Sequence, residues 1–234
     1  MIGGIKELTS DRVAIGEGNR DGEFLTALAK NRNITSFQFG WVKGSSTFGT
    51  LNALAILPRY DQLATLLIFG DNDSQEGKSF EAIKDGLNQA GLASPAQPLQ
   101  VTRKKGSPPV AVVMMPFPGV DGNTEGCLET LLLPAIKRAH PTQADCAEAM
   151  FICVGADSWK SKSSRDKLMV RSILSASCQN NPMCGHPEWY RSSSNLIPLN
   201  DPIFDGVAEI LANAPAWFDS GIHKWDEWKA ANLP

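Results

Sequence analysis

The chain has 234 residues, of which 42% are hydrophobic and 20% are charged, and its formal net charge is −3. This composition is typical of a soluble globular protein, and the acidic balance argues against a surface coated with basic charge for general nucleic-acid binding. No apolar run is long enough to span a bilayer, and the N-terminus lacks the apolar core of a signal peptide. We therefore expect a cytoplasmic protein whose five scattered cysteines are free thiols.

Strands and helices alternate in the first part of the chain. Apolar periodicity predicts strands at 13–16, 34–39, 66–73 and 110–115, and helices at 24–30, 48–55, 80–90 and 128–136. Residues 92–109 are rich in proline and small polar residues and are predicted to form a loop. This alternation predicts an α/β fold with a parallel, doubly wound sheet.

The remainder of the chain is predicted to be mainly helical. We expect an α/β domain over residues 1–136 and a helical C-terminal extension over residues 137–234, packed together as one compact unit. Trp217, Trp225 and Trp228 are interpreted as packed core residues rather than as a platform for stacking bases. Cys178, Cys184 and His186 are close in sequence but lack a CxxC pair, so we interpret them as free thiols and a loop histidine rather than as zinc ligands.

The segment LLIFGDND, residues 66–73, is the feature around which the functional prediction is built. Its apolar run predicts a strand that is covered on both faces, and Asp71 and Asp73 follow where that strand ends. In open α/β sheets ligands bind at the carboxyl ends of strands, and residues two apart on a strand point to the same side. The alternative interpretation is a turn and helix N-cap, since Asp, Asn and Ser favour both.

Carboxylates follow three of the four predicted strands. Glu17 and Asp21 follow the first strand, Asp71 and Asp73 follow the third, and Glu125 and Glu129 lie just beyond the fourth. Because strand ends of one parallel sheet lie along one edge, we expect these groups to meet in space. Such a cluster needs cations to neutralise it, and Mg²⁺ or Mn²⁺ bound there would make phosphodiester cleavage feasible.

The residues EGNRD (17–21), followed by DND (71–73), resemble the TOPRIM domain of primases, topoisomerases, a ribosomal-RNA maturase and overcoming-lysogenization-defect nucleases. The later segment MPFPGVDGNTEGCLETLLLPAI, residues 115–136, resembles the TOPRIM-like family DUF3226, and this similarity extends over nearly the whole chain. The resemblance implies a TOPRIM-like, Rossmann-like sheet flanked by helices. It also implies Mg²⁺ or Mn²⁺ as the cofactor.

The resemblance also implies roles for particular residues. Glu17 takes the position of a general acid/base or metal ligand, and Asp71 and Asp73 take the positions of metal-binding aspartates. Asp21 would either bind the metal or only cap a helix. Glu129 matches the glutamate of an LE element and could bind a second metal. Glu125 has no counterpart. The chain departs from many relatives in having Asn19 where they have lysine, which removes one positive charge near the acids.

The predicted function is metal-dependent cleavage of nucleic-acid phosphodiester bonds. The chain offers no recognisable tyrosine context for a topoisomerase and no P-loop for an ATPase of its own. Seven basic residues are weaker candidates for contacts to phosphates: Arg103, Lys104, Lys105, Lys160, Lys162, Arg165 and Lys167. The alternative is a non-catalytic TOPRIM-fold module that binds a nucleotide or nucleic acid and requires a partner, such as an ATPase or a second copy of the chain.

Overall fold

Five strands form one sheet in the order β2-β1-β3-β5-β4. The structure is a computed structural model that describes residues 2–73, 77–117, 124–179, 185–190 and 196–233. The strands are β1 (Arg12–Gly16), β2 (Gln38–Trp41), β3 (Thr65–Asp71), β4 (Thr102–Lys104) and β5 (Ser107–Met115). Strand β1 pairs in parallel with both β2 and β3, so that Ile15 lies opposite Gly40 on one side and Ile68 on the other.

Both faces of the sheet are buried, as the apolar strands predict. Val13 and Ile15 point to one face and the intervening Ala14 to the other, and all three are inaccessible to solvent. Leu66 and Ile68 alternate with Leu67 and Phe69 in the same way on β3. The α/β fold with parallel strands β1, β2 and β3 is therefore confirmed.

Eight α-helices occur in the part of the chain that the structure describes. They are α1 (Asn19–Asn31), α2 (Lys78–Gln89), α3 (Leu128–Ala139), α4 (Pro141–Cys153), α5 (Lys162–Ser177), α6 (His186–Trp189), α7 (Asp205–Asp219) and α8 (Trp225–Asn232). None of the described helices combines the length and the apolar character that crossing a bilayer requires.

The structure groups the chain into two compact units. The first consists of residues 1–70, 77–114 and 207–234, and the second consists of residues 71–76 and 115–206. The boundary that we predicted at residue 136 is not one of the borders between these units. Residues 207–234, which we expected in the helical extension, belong to the unit that contains most of the sheet.

The first unit has its core between the sheet and the elements that follow β2 and β3. Helix α1 packs on β1 and β2, and α2 packs on a 3₁₀ helix at Ser45–Ile56. Phe80, Ile83 and Leu87 of α2 join the buried strand residues in one apolar cluster. At the C-terminus Trp217, Trp225 and Trp228 are at most 4% exposed, and their rings pack in succession with centroid separations of 5.3 Å. The interpretation of these tryptophans as packed core residues is confirmed.

The second unit is built on three helices that pack against one another, namely α3, α4 and α5. Leu131 and Ile136 of α3 are completely buried, as are Val170 and Ile173 of α5. A 3₁₀ turn at Ala156–Ser158 packs on α4 and connects it to α5. The helical prediction for this part of the chain is therefore confirmed for 141–153 and 162–177.

Several local predictions were wrong. Residues 102–104, predicted as loop, form β4, which pairs antiparallel with β5, so the sheet is mixed rather than wholly parallel. The second helix is a 3₁₀ helix at Ser45–Ile56, β2 lies at Gln38–Trp41 instead of 34–39, and β3 ends at Asp71 before Asp73. The errors at β2, at β3 and at the second helix share a cause, since short apolar runs next to turns allow several local conformations and tertiary pairing selects among them. Cys184 lies outside the described residues, whereas Cys127, Cys146, Cys153 and Cys178 are free thiols.

Candidate acidic site

Asp71 is held at the first turn of α3. Its Oδ1 accepts a hydrogen bond from the backbone N–H of Leu128, at 3.0 Å. Leu128 is the first residue of α3, where backbone N–H groups have no partner inside the helix. A carboxylate at that position is also favoured by the positive end of the helix dipole. Asp71 therefore has a structural role that is compatible with a second, chemical one.

Asp73 is positioned by a turn rather than by the strand. Its φ of 51° lies in the left-handed region, so the strand geometry that we used to place Asp71 and Asp73 on one side does not extend to it. Its backbone exchanges two hydrogen bonds with Gly126, at 2.6 and 2.9 Å. Its Oδ1 accepts a hydrogen bond from the hydroxyl of Ser163 at 3.0 Å. The turn and α5 together fix the Asp73 carboxylate.

The intervening Asn72 attaches the same turn to the segment after β5. Its backbone N–H donates to Met115 O at 2.9 Å, and its side-chain Nδ2 donates to Thr124 O at 2.8 Å. All three residues of the DND motif are thus bonded to residues between 115 and 128. The motif and the LE element of α3 form one hydrogen-bonded arrangement, although they are far apart in the sequence.

Glu129 is a buried carboxylate on the first turn of α3. Only 2% of the residue is exposed, and its Oε2 accepts a hydrogen bond from the thiol of Cys127 at 3.2 Å. Burial raises the pKa of the Cys127 thiol, and the negative charges of Glu129 and Asp71 raise it further. The thiol therefore stays protonated and acts as a hydrogen-bond donor, which is the opposite of a reactive cysteine.

Lys167 supplies the positive charge at this site. Burial lowers the pKa of its ammonium, but the electrostatic influence of Cys127, Glu129, Asp71 and Asp73 outweighs that effect, so that the net pKa is raised. We refer to Lys167 with Asp71, Asp73 and Glu129 as the Lys167 cluster. All four residues belong to the second unit.

A buried network supports α5 next to the Lys167 cluster. Thr130 Oγ1 donates to Asp166 Oδ2 at 2.5 Å, and the ammonium of Lys162 lies 2.9 Å from the same oxygen. Thr130 and Asp166 are at most 8% exposed, so this pairing connects the first turns of α3 and α5 in a largely dry environment. The network fixes the helix that carries Ser163 and Lys167.

Glu17 and Asp21 lie in the first unit, at the turn between β1 and α1. Asp21 is 5% exposed, and its Oδ2 accepts a hydrogen bond from Gly18 N–H at 2.6 Å. Asp21 therefore caps α1, which is one of the two roles that the resemblance implied for it. The Glu17 carboxylate lies next to Gly70 on β3. The distance between Glu17 Oε2 and the position that a Cβ atom on residue 70 would occupy is 3.5 Å.

The basic residues predicted to contact phosphates fall into separate groups. In the first unit, Arg103 donates to Phe218 O and Lys104 donates to Gly91 O, so both have structural contacts, while Lys105 is exposed in the following turn. In the second unit, Lys162 pairs with Asp166, and Arg165 donates to Asp157 O. Lys160 is exposed, and Lys167 belongs to the cluster defined above.

Sequence reasoning missed Ser163 and Cys127 and did not place Lys167 among the acids. Ser163 and Lys167 are four residues apart on α5, so they share one face of that helix. A serine and a lysine at this spacing are too common to be distinguished without knowing which helix meets the DND turn. Glu125, for which no role was predicted, is exposed in the segment before α3.

The carboxylates fit Mg²⁺ or Mn²⁺ in chemical type but do not form a complete set of ligands. Each of Asp71, Asp73 and Glu129 offers hard oxygen atoms of the kind that these ions prefer. One oxygen of each, however, already accepts a hydrogen bond. Within the described ranges, no three or more His, Cys, Asp or Glu side chains are grouped so as to hold a metal ion.

Fold and site together define an α/β protein with carboxylates gathered around a lysine where β3 ends. The chain belongs to the family described as "Protein of unknown function (DUF3226)", whose model matches residues 13–214. A search of curated proteins gave no match. Among solved structures, the chain is similar to the C-terminal region of the Xanthomonas campestris pv. campestris OLD protein. The TM-score is 0.43 and the identity 13%, with coverage of 91% of this chain and 99% of that chain.

Proposed function

We propose that the chain cleaves phosphodiester bonds of nucleic acid with Mg²⁺ or Mn²⁺ as cofactor. The observation that carries this proposal is the position of Asp71, Asp73 and Glu129, which accept hydrogen bonds from Leu128, Ser163 and Cys127 at the starts of α3 and α5. Structural stability alone gives no reason to place three carboxylates together, because like charges in close proximity repel. A site that must bind cations and a phosphate does give such a reason.

In this proposal the metal is held by Asp71 and Asp73 together with the substrate phosphate. Mg²⁺ commonly binds through one or two carboxylates plus phosphate oxygens and retains several waters. Such a site is completed by the substrate, which agrees with the incomplete ligand set of the described residues. When bound, the metal would lower the pKa of a coordinated water and neutralise charge on the phosphate. Asp21 and Glu129 are proposed as supporting carboxylates.

The side chains around the metal position have their own proposed roles. The Ser163 hydroxyl and the Leu128 N–H orient Asp73 and Asp71, since each donates a hydrogen bond to one oxygen of the carboxylate. The Lys167 ammonium offsets part of the negative charge of the carboxylates before substrate arrives and can pair with a phosphate afterwards. Glu17, on the resemblance given above, is proposed as the general acid/base.

A second candidate is a binding module that performs no cleavage. The Lys167 ammonium already offsets part of the charge of Asp71, Asp73 and Glu129. Offset in this way, the carboxylates can coexist without a metal, and the same surface could bind a nucleic-acid end or a nucleotide. A partner ATPase or a second copy of the chain would then supply what the module lacks.

The test is a calorimetric titration of Mn²⁺ with and without a phosphorothioate oligonucleotide that resists cleavage. We compare the wild type with an Asp71→Asn/Asp73→Asn variant. The matched control is Asp145→Asn/Asp157→Asn, which removes the same charge from two exposed positions of the second unit. Asn retains a carbonyl oxygen that can still accept the hydrogen bonds from Leu128 and Ser163, so we expect the fold to persist.

We expect saturable Mn²⁺ binding that is stronger with the oligonucleotide, that the control variant retains and that the Asp71/Asp73 variant loses. Cleavage of an unmodified oligonucleotide in Mn²⁺ or Mg²⁺ should be abolished by Asp71→Asn alone. A fully active Asp71→Asn variant would contradict the assignment of the site. Oligonucleotide binding without cleavage by the wild type would favour the binding module.

A further inference from the structure

Trp159 stands out among the six tryptophans, all of which the structure describes. It is 44% exposed, whereas Trp189, Trp217, Trp225 and Trp228 are at most 5% exposed and Trp41 is partly buried. Tryptophan is highly buried on average in globular proteins, so a ring that is 44% exposed differs from the other tryptophans of this chain and is accessible to a ligand.

The backbone that carries Trp159 is well held. Its N–H donates to Ala156 O at 3.2 Å, and the Ser158 hydroxyl donates to Gly155 O at 2.7 Å. Arg165 Nη1 donates to Asp157 O at 3.2 Å and so attaches this turn to α5. The ring is thus presented to solvent from an ordered turn, which limits the entropy lost when a ligand covers it.

Positive charge is concentrated next to this ring. Residues 157–171 contain five lysines and arginines and two aspartates, for a formal charge of +3, whereas the whole chain carries −3. Lys162 is paired with Asp166. Arg165 is bonded to a carbonyl, which leaves its charge uncompensated by that contact. Lys160 and Arg171 are exposed. The charge near Trp159 therefore complements a polyanion.

Helix α5 connects Trp159 to the Lys167 cluster. Trp159 precedes Ser163 by four residues, so their Cα atoms are at most about 14 Å apart. Ser163 contacts Asp73, and Lys167 follows about 6 Å further along the helix axis. The span from Trp159 to Ser163 corresponds to at most about four stacked nucleotides at 3.4 Å each. A strand that reaches the acids can therefore also cover Trp159.

We propose that the second unit binds single-stranded nucleic acid, with one base stacked on Trp159 and neighbouring phosphates at Lys160 and Arg165. This inference rests on the proposed function, because it names the substrate class of the same site. Stacking on a side chain requires the free face of a base, which single strands offer and duplexes do not. The positive charges of Lys160 and Arg165 next to the ring complement the phosphates of such a strand.

The test is fluorescence anisotropy with a labelled oligothymidine of about 20 nucleotides, longer than the site of one single-strand binding domain, and with a duplex of equal length. The full chain is titrated in EDTA at several salt concentrations, so that binding is measured without turnover. The variants are Trp159→Ala, Trp159→Phe and Lys160→Ala. Ile152→Ala is the control, because Ile152 is an apolar residue of the same unit that is 72% exposed.

We expect Trp159→Ala to weaken single-strand binding between about 5-fold and 150-fold, as expected for the loss of one base stack. The slope of log K against log salt should be unchanged in that variant, because the indole is uncharged. Trp159→Phe should stay within about threefold of the wild type, since phenylalanine also stacks. Lys160→Ala should reduce the slope by about 0.7, the effect of one phosphate contact on a single strand. Ile152→Ala should bind as the wild type does.

Several outcomes would overturn the inference. The inference fails if the wild type does not bind the single strand, or if Trp159→Ala binds the single strand as tightly as the wild type does. It also fails if Trp159→Ala loses as much affinity for the duplex as for the single strand. A self-association that Trp159→Ala abolishes, with oligonucleotide binding unchanged, would make the surface a contact between chains instead. If wild type cleaves in Mn²⁺ but Trp159→Ala binds normally, only this inference fails. If Trp159→Ala loses binding while wild type does not cleave, this inference stands and the nuclease proposal fails.

Discussion

The hydroxyl of Ser163 donates to Asp73 Oδ1 at 3.0 Å, across 90 positions of the sequence. Ser163 is 4% exposed, so the bond lies in surroundings where water replaces a lost partner poorly. Hydrogen bonds to charged groups are among the stronger ones in proteins. This contact therefore fixes the DND turn to α5.

Ser163→Ala should destabilise the protein by about 1.5–3 kcal/mol, the range for a hydrogen bond to a charged group. Loss of the donor leaves an oxygen of Asp73 without its partner on α5. The measurement is the urea midpoint and slope at neutral pH. Ser164→Ala is the matched control, because Ser164 is the next residue on the helix and is exposed. Equal stability of the two variants would show that the bond contributes little.

Lys167→Met should destabilise the protein by up to about 3 kcal/mol, the lower end of the range for removing one partner of a buried pair. The lower end applies because Lys167 is only partly buried. Methionine retains most of the length and apolar volume but removes the charge that faces Asp71, Asp73 and Glu129. The three carboxylates then lack the cation that offsets their mutual repulsion.

The pH dependence of Lys167→Met follows from the pKa of Lys167, which is raised above its ordinary value of 10.5. A group whose folded pKa is raised contributes stability below its unfolded pKa and loses it as the pH rises, so the deficit relative to wild type should be larger at about pH 7 than at about pH 11. At about pH 7, Mn²⁺ should restore part of the loss by replacing the missing cation. Thermal unfolding at both pH values, and at about pH 7 with and without Mn²⁺, measures this. A deficit that is independent of pH would indicate lost packing rather than lost charge.

The buried Cys127 thiol should make stability fall at alkaline pH. Its folded pKa is raised above the ordinary value of 9.0, first by burial and then by Glu129 and Asp71. The contribution is therefore fully present below pH 9.0, and it is lost above that value because the unfolded thiol ionises first. The loss should be at most about 1.4 kcal/mol for each pH unit.

Urea unfolding between about pH 7 and about pH 10 tests this expectation. Other groups also titrate in that range, so the informative quantity is the difference between wild type and Cys127→Ala. The alanine variant should lose less stability on going to high pH than the wild type does. Cys146→Ala, which removes an exposed thiol, should follow the wild type. Identical pH profiles for Cys127→Ala and wild type would contradict the prediction.

Local sequence was sufficient to predict much of this fold. The short apolar run Leu66–Phe69, followed by a glycine, predicted a buried strand, and the spacing of Phe24, Leu25 and Leu28 predicted the buried stripe of α1. The strand Thr102–Lys104 was missed because its residues carry no apolar pattern. It exists through pairing with β5, and pairing across a sheet is not encoded in the three residues themselves.

The candidate site was predicted only in part for a similar reason. Asp71 and Asp73 follow a recognisable strand, so their proximity to each other could be predicted from the chain order. The position of Lys167 depends on how α5 packs on α3, and nothing near Lys167 in the sequence specifies that contact. The conformation of Asp73 was mispredicted because a strand was assumed to continue where the backbone enters the left-handed region.

Residues 207–234 belong to the same unit as residues 1–70, and they pair directly with the segment before β4. Val101 N–H donates to His223 O at 2.7 Å, and Trp225 N–H donates to Leu99 O at 3.0 Å. On the ribosome, the sheet unit therefore cannot be completed until the whole intervening segment has been synthesised. Helices α3, α4 and α5 emerge earlier and have their partners close by in sequence. The backbone groups of Leu99 and Val101 must wait for translation to reach His223 and Trp225 before these hydrogen bonds can form.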